Sequence, residues 1–286
     1  KRISGNSEYI NNCGSCKNWN DCSWCPAYGY LENGRYTAKV DYLCSIAQAT
    51  RQARQDWIST HRRFYQIAGI TVRVDSDLPM NESTFHPKFK LFATDTPTQD
   101  MIHLHHHFNL PQRNEMKLET KPYISRPWAI YQNERSWIYL CVGSKADVSD
   151  YTQVVIFNQD FSQARIFHQP SMKTFFESGN LDSLTLLPSD QMILAQVLAD
   201  RQGCFFHASG LVLKDKGLLF MGHSGAGKST ITALLRKHVD ILCDDRIIVN
   251  KQNDSFQVHG TWSHGSIPEV SSKSAPLQAI FFLKKA

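Results

Sequence analysis

The chain has 286 residues, 42% of them hydrophobic and 11% aromatic, which suffices for one large or two modest packed domains. No apolar run approaches the roughly 20 residues of a membrane span, and the N-terminal residues lack the apolar core of a signal peptide. The net charge of +5 is mild and spread along the chain, which suits anionic ligands such as nucleotides. The sequence thus predicts a cytoplasmic protein without a nucleic-acid or membrane partner.

Five of the eight cysteines crowd the first 44 residues, at Cys13, Cys16, Cys22, Cys25 and Cys44. Their spacing is compatible with disulfides, zinc or an iron–sulfur site. Disulfides need an oxidising compartment and are disfavoured. Two C-x-x-C pairs suit tetrahedral zinc, whereas a fifth cysteine is less typical of zinc modules. We therefore predict a metal module at residues 1–48, with the metal left open. The remaining cysteines, Cys141, Cys204 and Cys243, are interpreted as ordinary buried thiols.

The stretch from Cys13 to Cys44, with its Cys22-Ser-Trp-Cys25-Pro-Ala run, resembles the C-terminal part of a SPASM or twitch segment. In radical SAM peptide maturases such segments hold auxiliary 4Fe–4S clusters. The resemblance implies that Cys13, Cys16, Cys22 and Cys44 ligate one cluster and that Cys25 belongs to a second. The sequence lacks the C-x3-C-x2-C triad of radical SAM chemistry, so we expect no radical reaction from these residues alone. A chain that begins partway through a longer polypeptide, or carries a relic of one, is expected.

Residues 49–63 are polar and basic and predict a linker helix, with Arg51, Arg54, Arg62 and Arg63 on a solvated face. Beyond them, period-two alternation predicts a β-rich subdomain over residues 64–180 with a mainly antiparallel sheet. The predicted strands cover residues 71–74, 88–92, 128–131, 137–140, 153–157 and 164–167. Residues 133–135 are predicted to turn a hairpin between the third and fourth of these.

Three histidines alternate along one predicted strand of this sheet, at positions 103, 105 and 107. Alternation puts His103, His105 and His107 on one face, within reach of a common ion. No carboxylate or cysteine cluster accompanies them in the sequence, and a metal site also needs supporting hydrogen bonds. We therefore favour three histidines without a ligand.

Residues 222–229 fit the phosphate-binding pattern G-x-x-x-x-G-K-S/T, between an apolar strand at 217–221 and a helix beginning near Lys228. Glycines let successive N–H groups turn toward phosphate oxygens, Lys228 adds positive charge at the β- and γ-phosphates, and the Ser229 hydroxyl can hold Mg²⁺. A chance turn is the disfavoured alternative. The predicted ATP-binding residues are Gly222, His223, Ser224, Gly225, Ala226, Gly227, Lys228, Ser229 and Thr230.

A second apolar strand, at 239–243, ends in Asp244 and Asp245. One carboxylate beside a phosphate loop can hold Mg²⁺ while the other accepts a proton from an attacking hydroxyl. We assign Asp244 to Mg²⁺ together with Ser229 and leave open which aspartate is the base. The alternative is that the pair merely starts a turn.

The order of His207, the loop at 222–229 and Asp244-Asp245-Arg246 resembles HPr kinase/phosphorylase proteins, whose fold is related to phosphoenolpyruvate carboxykinases. It is more similar to the smaller HPr-kinase-like proteins found near peptide-modification genes. The similarity runs from about residue 64 to the end, including residues 258–265 and 274–277. It implies ATP-dependent phosphorylation of a serine hydroxyl, with an aspartate of the pair as base and His207 near the transferred phosphate. Family members usually continue past the strand at 279–283, so we expect this chain to be shortened there.

Together these features predict an α/β fold, with a P-loop kinase core at 181–286, the antiparallel β-rich subdomain and the small cysteine-rich metal module. The predicted substrate is a small protein or ribosomally made peptide. The alternative is a non-catalytic module that binds nucleotide and peptide alongside a radical SAM maturase. Simple ATP hydrolysis is disfavoured because no arginine-finger or sensor pattern is recognisable.

Overall fold

The computed structural model of the chain describes residues 3–118, 122–125, 127–142, 150–185 and 190–284. It is a mixed α/β structure with two sheets and more strand than helix. The chain divides into two compact units, Lys1–His61 and Arg62–Ala286. The finer division predicted within the second unit stays a prediction. No helix among the described residues is both long and apolar enough to cross a membrane.

The first unit is helical. Its α-helices are α1 (Ser7–Tyr9), α2 (Pro26–Asn33) and α3 (Asp41–His61), 3₁₀ turns cover Ile3–Gly5 and Trp19–Asp21, and a π-helical turn covers Ile10–Gly14. Helix α2 begins at Pro26, where the missing N–H costs no intrahelical bond, and ends at Asn33, followed by Gly34 in the left-handed region. Since α3 carries Cys44 near its start, the helix contributes directly to the cysteine-rich segment.

Helix α3 begins and ends earlier than the predicted linker helix at 49–63. Arg62 and Arg63 lie in the following strand, and their predicted solvated face is wrong. Arg51 donates to the Lys17 carbonyl oxygen at 2.8 Å, and Arg54 pairs with Asp21. These two arginines therefore tie the helix to the loop between Cys16 and Cys22.

The second unit opens with an eight-stranded sheet of order β1-β2-β3-β8-β7-β6-β5-β4. Its strands are β1 (Arg62–Ile67), β2 (Ile70–Ser76), β3 (Met101–His107), β4 (Tyr123–Ser125), β5 (Trp128–Gln132), β6 (Ser136–Val142), β7 (Tyr151–Asn158) and β8 (Gln163–His168). All neighbours are antiparallel except β2–β3 and β3–β8, which are parallel. The predicted mainly antiparallel sheet and the hairpin around 133–135 are confirmed.

The strand predicted at 88–92 is wrong, because Pro87–Leu91 forms a 3₁₀ helix. Pro87 fixes the first helical position, and the His86 ring nitrogen Nδ1 accepts a hydrogen bond from the Lys88 N–H at 3.2 Å. Phe89 and Phe92 are buried three residues apart, the repeat of a 3₁₀ turn, whereas Leu91 is 54% exposed. Apolar residues at short spacing thus suggested alternation where a helical turn was present.

The second sheet has the order β10-β14-β13-β12-β9-β11, and β10 also pairs with β9, so five of its strands close into a ring. Its strands are β9 (Gly203–Leu213), β10 (Lys216–Met221), β11 (Asp240–Cys243), β12 (Arg246–Gln252), β13 (Ser255–His259) and β14 (Ser274–Phe282). The α-helices described in this unit are α4 (Met172–Ser178), α5 (Asp190–Ala199) and α6 (Lys228–Leu235), and a further 3₁₀ helix covers Arg113–Met116. The predicted strand before the glycine-rich loop and the helix after it are both present.

The long strand β9 sets the positions of the site residues. In its first half, His207 pairs with Arg246 of β12, and in its second half Ala208 pairs with Met221 of β10. The end of β10 and the start of β12 therefore flank neighbouring residues of one strand. This register brings the loop after Met221 and the turn before Arg246 to the same region.

One apolar core joins the two sheets of the second unit. It combines residues of β1, β2 and β3 with α5 and with Ile248 and Trp262. The Trp262 ring lies 5.4 Å from Phe89 and 5.3 Å from Phe92, measured between ring centroids. The 3₁₀ helix is therefore anchored by aromatic packing against the segment that follows β13.

Two buried histidines form a hydrogen-bonded chain in the first sheet. His106 Nε2 lies 2.8 Å from the Leu184 carbonyl oxygen, and His106 Nδ1 lies 2.9 Å from His168 Nε2. The Gln153 amide nitrogen lies 3.1 Å from His168 Nδ1. In each ring both nitrogens have a hydrogen-bond partner, and a neutral imidazole satisfies these bonds with one nitrogen as donor and the other as acceptor. Burial lowers the pKa of His106 to about 4 and, with the neighbouring His106, that of His168 to about 2.

We expect the protein to lose stability between pH 7 and pH 5. The folded pKa values of these histidines lie below the unfolded value near 6.5. As pH falls below that value, the unfolded state takes up protons that the folded state does not, and the folded state loses stability. At pH 5 each such histidine costs about 2 kcal/mol of unfolding free energy. Urea denaturation at the two pH values measures the difference. Equal stability at pH 7 and pH 5 would show that the buried rings do not stay neutral.

Candidate functional site

The glycine-rich loop connects β10 to α6. Gly225 has φ of 79° and Gly227 has φ of 102°, in the left-handed region that favours glycine. At Gly222 a β-carbon would lie 2.7 Å from Cβ of Ala226 and 3.0 Å from the carbonyl oxygen of Leu283. A side chain at any of these three positions would disturb the loop, at Gly225 and Gly227 through the backbone angle and at Gly222 through close contacts.

Lys228 begins α6 and is buried. Its ammonium nitrogen donates to the carbonyl oxygens of Gly222 at 2.8 Å and His223 at 3.2 Å, so the charge lies across the loop. His223, Ser224 and Gly225 are exposed around it. The loop therefore combines an accessible backbone with a cation held at its base, an arrangement suited to an anion.

Asp244 is 3% exposed and is held by three donors. The Ser229 hydroxyl donates to Oδ2 at 2.9 Å, the Gly265 N–H to Oδ1 at 2.6 Å, and the Ile267 N–H to Oδ2 at 3.0 Å. A β-carbon at Gly265 would lie 3.2 Å from both carboxylate oxygens. The sequence pointed to residues 258–265 only by resemblance, so the backbone donors at 265 and 267 were missed.

Asp245 has a different environment. Its Oδ1 lies 3.5 Å from His207 Nε2, and its Oδ2 lies 3.6 Å from Arg246 Nε. The Ser263 hydroxyl lies 3.4 Å from Oδ2. The side chain is 27% exposed. Asp244 is therefore buried and accepts three hydrogen bonds, whereas the Asp245 carboxylate is accessible.

The structure brings most of the predicted residues of this unit into two groups, one around Asp244 and one around Asp245, which are adjacent in the chain. The loop is joined to Asp244 through Ser229, and His207 is joined to Asp245. Thr230, which was predicted to bind nucleotide, is exposed on α6. The geometry defines a glycine-rich loop at a strand–helix junction, next to an aspartate pair.

The cysteines of the first unit gather in part. Burial raises the pKa of Cys13, and the nearby thiols of Cys44, Cys22 and Cys16 raise it further. Among the residues that the structure describes, no three sulfur atoms lie within 4.8 Å of one another. A tetrahedral zinc site would need separations of about 3.8 Å, from Zn–S bonds near 2.3 Å. The described sulfur atoms are therefore not all as close together as the four ligands of a closed zinc site.

The other three cysteines differ from one another. Cys243 is buried and Cys141 half-buried, but Cys204 is exposed, so the expectation of three buried thiols is wrong at one position. Cys204 lies in β9 where that strand passes beside β12.

The histidines of β3 do share one face, but the expectation that no carboxylate accompanies them is wrong. Asp75 lies 3.1 Å from His103, and Asp77 lies 2.9 Å from both His105 and His107. The carboxylates come from the parallel neighbour β2 and the residue that follows it. The alternation of Asp75 and Asp77 places both carboxylates on one face of the strand, but the sequence did not reveal that this strand pairs with β3.

Residues 180–286 match a family model described as SynChlorMet cassette protein ScmC. The match covers less than half of the chain and includes the glycine-rich loop and both aspartates. Its description names neither an HPr kinase nor a SPASM segment. No curated protein matches the chain.

Proposed function

We propose that the protein is an ATP-dependent kinase that phosphorylates a serine hydroxyl of a small protein or ribosomally made peptide. The observation that carries this proposal is the Ser229–Asp244 hydrogen bond at 2.9 Å. It links the glycine-rich loop to the aspartate pair, so that a bound triphosphate and a carboxylate base would meet. The resemblance to HPr-kinase-like proteins supports the same assignment.

The residues of the loop fit a triphosphate. Lys228 donates to two loop carbonyls, and phosphate oxygens would replace them as acceptors. The backbone N–H groups at the start of α6 add favourable interactions with negative charge. ATP would therefore be held by residues 222–230 through its β- and γ-phosphates.

Mg²⁺ fits beside Ser229 and Asp244. A hydroxyl and a carboxylate are the hard oxygen ligands that Mg²⁺ prefers, and the backbone donors at Gly265 and Ile267 fix the carboxylate orientation. When bound, the ion would neutralise charge on the phosphates. Ser229 would exchange its hydrogen bond to Asp244 for a bond to the ion.

We assign the general base to Asp245. Asp244 is engaged by three donors, whereas Asp245 is accessible, and its contacts to His207, Arg246 and Ser263 are 3.5, 3.6 and 3.4 Å long. Asp245 would accept the proton of the serine hydroxyl as that oxygen attacks the γ-phosphorus and ADP leaves. His207, next to Asp245, would hold the transferred phosphoryl group or orient the base.

The family match supports a partner encoded nearby. The matching model is described as a cassette protein, and the resemblance of Cys13 to Cys44 to a SPASM segment points to a radical SAM peptide maturase as that partner. A ribosomally made peptide is the substrate class that suits both observations.

Transfer of labelled phosphate tests this function. The protein is incubated with γ-labelled ATP, Mg²⁺ and the peptides encoded beside its gene, and the products are separated. We expect label on a peptide serine. Label released only as inorganic phosphate would support hydrolysis, and nucleotide binding without release would support the non-catalytic binding module.

We further propose that Cys13, Cys16, Cys22 and Cys44 hold a 4Fe–4S cluster, which would serve to cross-link this small unit. The thiols of Cys44, Cys22 and Cys16 are close enough to raise the pKa of Cys13, which supports four ligands around one site. Cys25, the residue before α2, stays assigned to a second cluster only by resemblance.

An anaerobic preparation is expected to contain about four iron atoms per chain and to show broad absorption from thiolate-to-iron charge transfer. Cys13→Ser should abolish both signals, because it removes the one buried thiol among the four proposed ligands. Cys204→Ser is the matched control and should leave both unchanged. Stoichiometric zinc without iron would refute the cluster while keeping its ligands.

A further inference from the structure

A hydrogen-bonded group of two histidines and one carboxylate lies on the first sheet. His105 Nε2 is 2.9 Å from Asp77 Oδ1, and His107 Nδ1 is 2.9 Å from Asp77 Oδ2. The two imidazole rings stack with centroids 4.2 Å apart. One ligand atom from each of the three residues lies within 4.8 Å of the other two.

The parallel pairing of β2 with β3 creates this group. Asp75 pairs with His105, and the Asp77 N–H donates to the His106 carbonyl oxygen at 3.0 Å, so Asp77 continues the register past the end of β2. Because side chains alternate along a strand, His105 and His107 project to the same side. His107 is also stacked on Phe167 of β8, with ring centroids 4.8 Å apart, which restrains its ring.

The donor set fits a divalent transition metal. Two imidazole nitrogens and one carboxylate oxygen are ligands that zinc-type ions accept, with bonds of about 2.0–2.2 Å. Tetrahedral coordination at those lengths separates the ligand atoms by about 3.3 Å. The hydrogen-bonded atoms already lie 2.9 Å apart, so small side-chain rotations would admit the ion. The side chains of Asp77, His105 and His107 are 43%, 26% and 21% exposed, which leaves access from solvent.

Charge distinguishes this group from its neighbour. Asp75, with His103 and His105, also places three ligand atoms together, but Asp75 already pairs with Arg62 and Arg73. Two guanidinium groups would repel a cation there. In the described part of the chain, the ion pairs of Asp77 are those with its two histidines. Arg165 pairs in strand register with His105, and its guanidinium lies over the Phe167 ring.

We propose that Asp77, His105 and His107 form a binding site for a zinc-type divalent metal ion with at least one open coordination position. Its residues include none of those of the glycine-rich loop and none of the N-terminal cysteines. Three protein ligands are typical of sites that keep a position for water or a ligand, whereas structural zinc sites use four.

Titration of the full chain with Co²⁺ under reducing conditions and without nucleotide tests the site. Cobalt bound by nitrogen and oxygen gives d–d absorption without thiolate charge transfer, so the cysteines are distinguished by their own bands. We expect one equivalent of such binding. Asp77→Asn and His107→Asn should weaken it at least about 100-fold, the upper end of what losing a supporting residue costs.

His103→Asn is the matched control, since it removes a neighbouring histidine from the same face but not from the proposed site. It should bind Co²⁺ like the parent protein, and circular dichroism checks that every variant is folded. Two results would overturn the proposal. One is parental affinity in folded Asp77→Asn and His107→Asn proteins, and the other is an equal loss in His103→Asn.

Discussion

Replacing Lys228 by alanine is expected to lower phosphoryl transfer by about 10²–10³-fold. The ammonium would act on charge that develops on the transferred phosphoryl group, where one preorganised contact is commonly worth roughly 3–4 kcal/mol. Initial rates of peptide phosphorylation at saturating ATP measure the effect. The Lys228 side chain also donates to two loop carbonyls, so its loss is expected to destabilise the fold. The thermal unfolding temperature of the variant should therefore be measured beside its activity.

Lys237→Ala is the matched control, because Lys237 is an exposed lysine just beyond the end of α6. It should transfer phosphate at the parental rate. If Lys228→Ala also phosphorylates at the parental rate while remaining folded, the loop is not the triphosphate site.

Asparagine substitutions at the aspartate pair are expected to separate its two roles. Asp245→Asn keeps the shape of the side chain but removes the proton acceptor. Nucleotide affinity should change little, while transfer falls by about 10²–10⁴-fold. Measuring ATP binding and peptide phosphorylation in parallel shows the split.

Asp244→Asn should behave differently. An amide nitrogen would face one of the backbone donors at Gly265 and Ile267, and the negative charge beside Ser229 would be lost. We therefore expect a higher Mg²⁺ requirement as well as slower transfer. Parental transfer rates in both variants would contradict the kinase mechanism and favour the binding module.

The glycine-rich loop was accessible to sequence reasoning because its determinants are local. A strand, the glycines of the loop and a helix start follow one another within residues 216–228, and the left-handed angles of Gly225 and Gly227 are properties of the local backbone. The antiparallel hairpins of the first sheet were predictable for the same reason, since each joins adjacent alternating segments.

Features that depend on distant pairing were not predictable. Asp77 meets His105 and His107 only because β2 and β3 are parallel neighbours. Likewise, the different surroundings of Asp244 and Asp245 depend on backbone donors that come from beyond β13. The 3₁₀ helix at Pro87–Leu91 was mistaken for a strand because the burial of Phe89 depends on packing against Trp262, a contact far away in sequence.

A crystal structure with a non-hydrolysable ATP analogue and Mg²⁺ tests the proposed site most directly. The phosphates should lie in the loop at 222–229, with the Lys228 ammonium moved from the carbonyls of Gly222 and His223 to phosphate oxygens. The Asp245 carboxylate should border the space in line with the γ-phosphate, where a serine hydroxyl could approach within about 2.6–3.2 Å. A nucleotide bound away from the loop, or an Asp245 carboxylate directed away from the γ-phosphate, would contradict the proposed kinase.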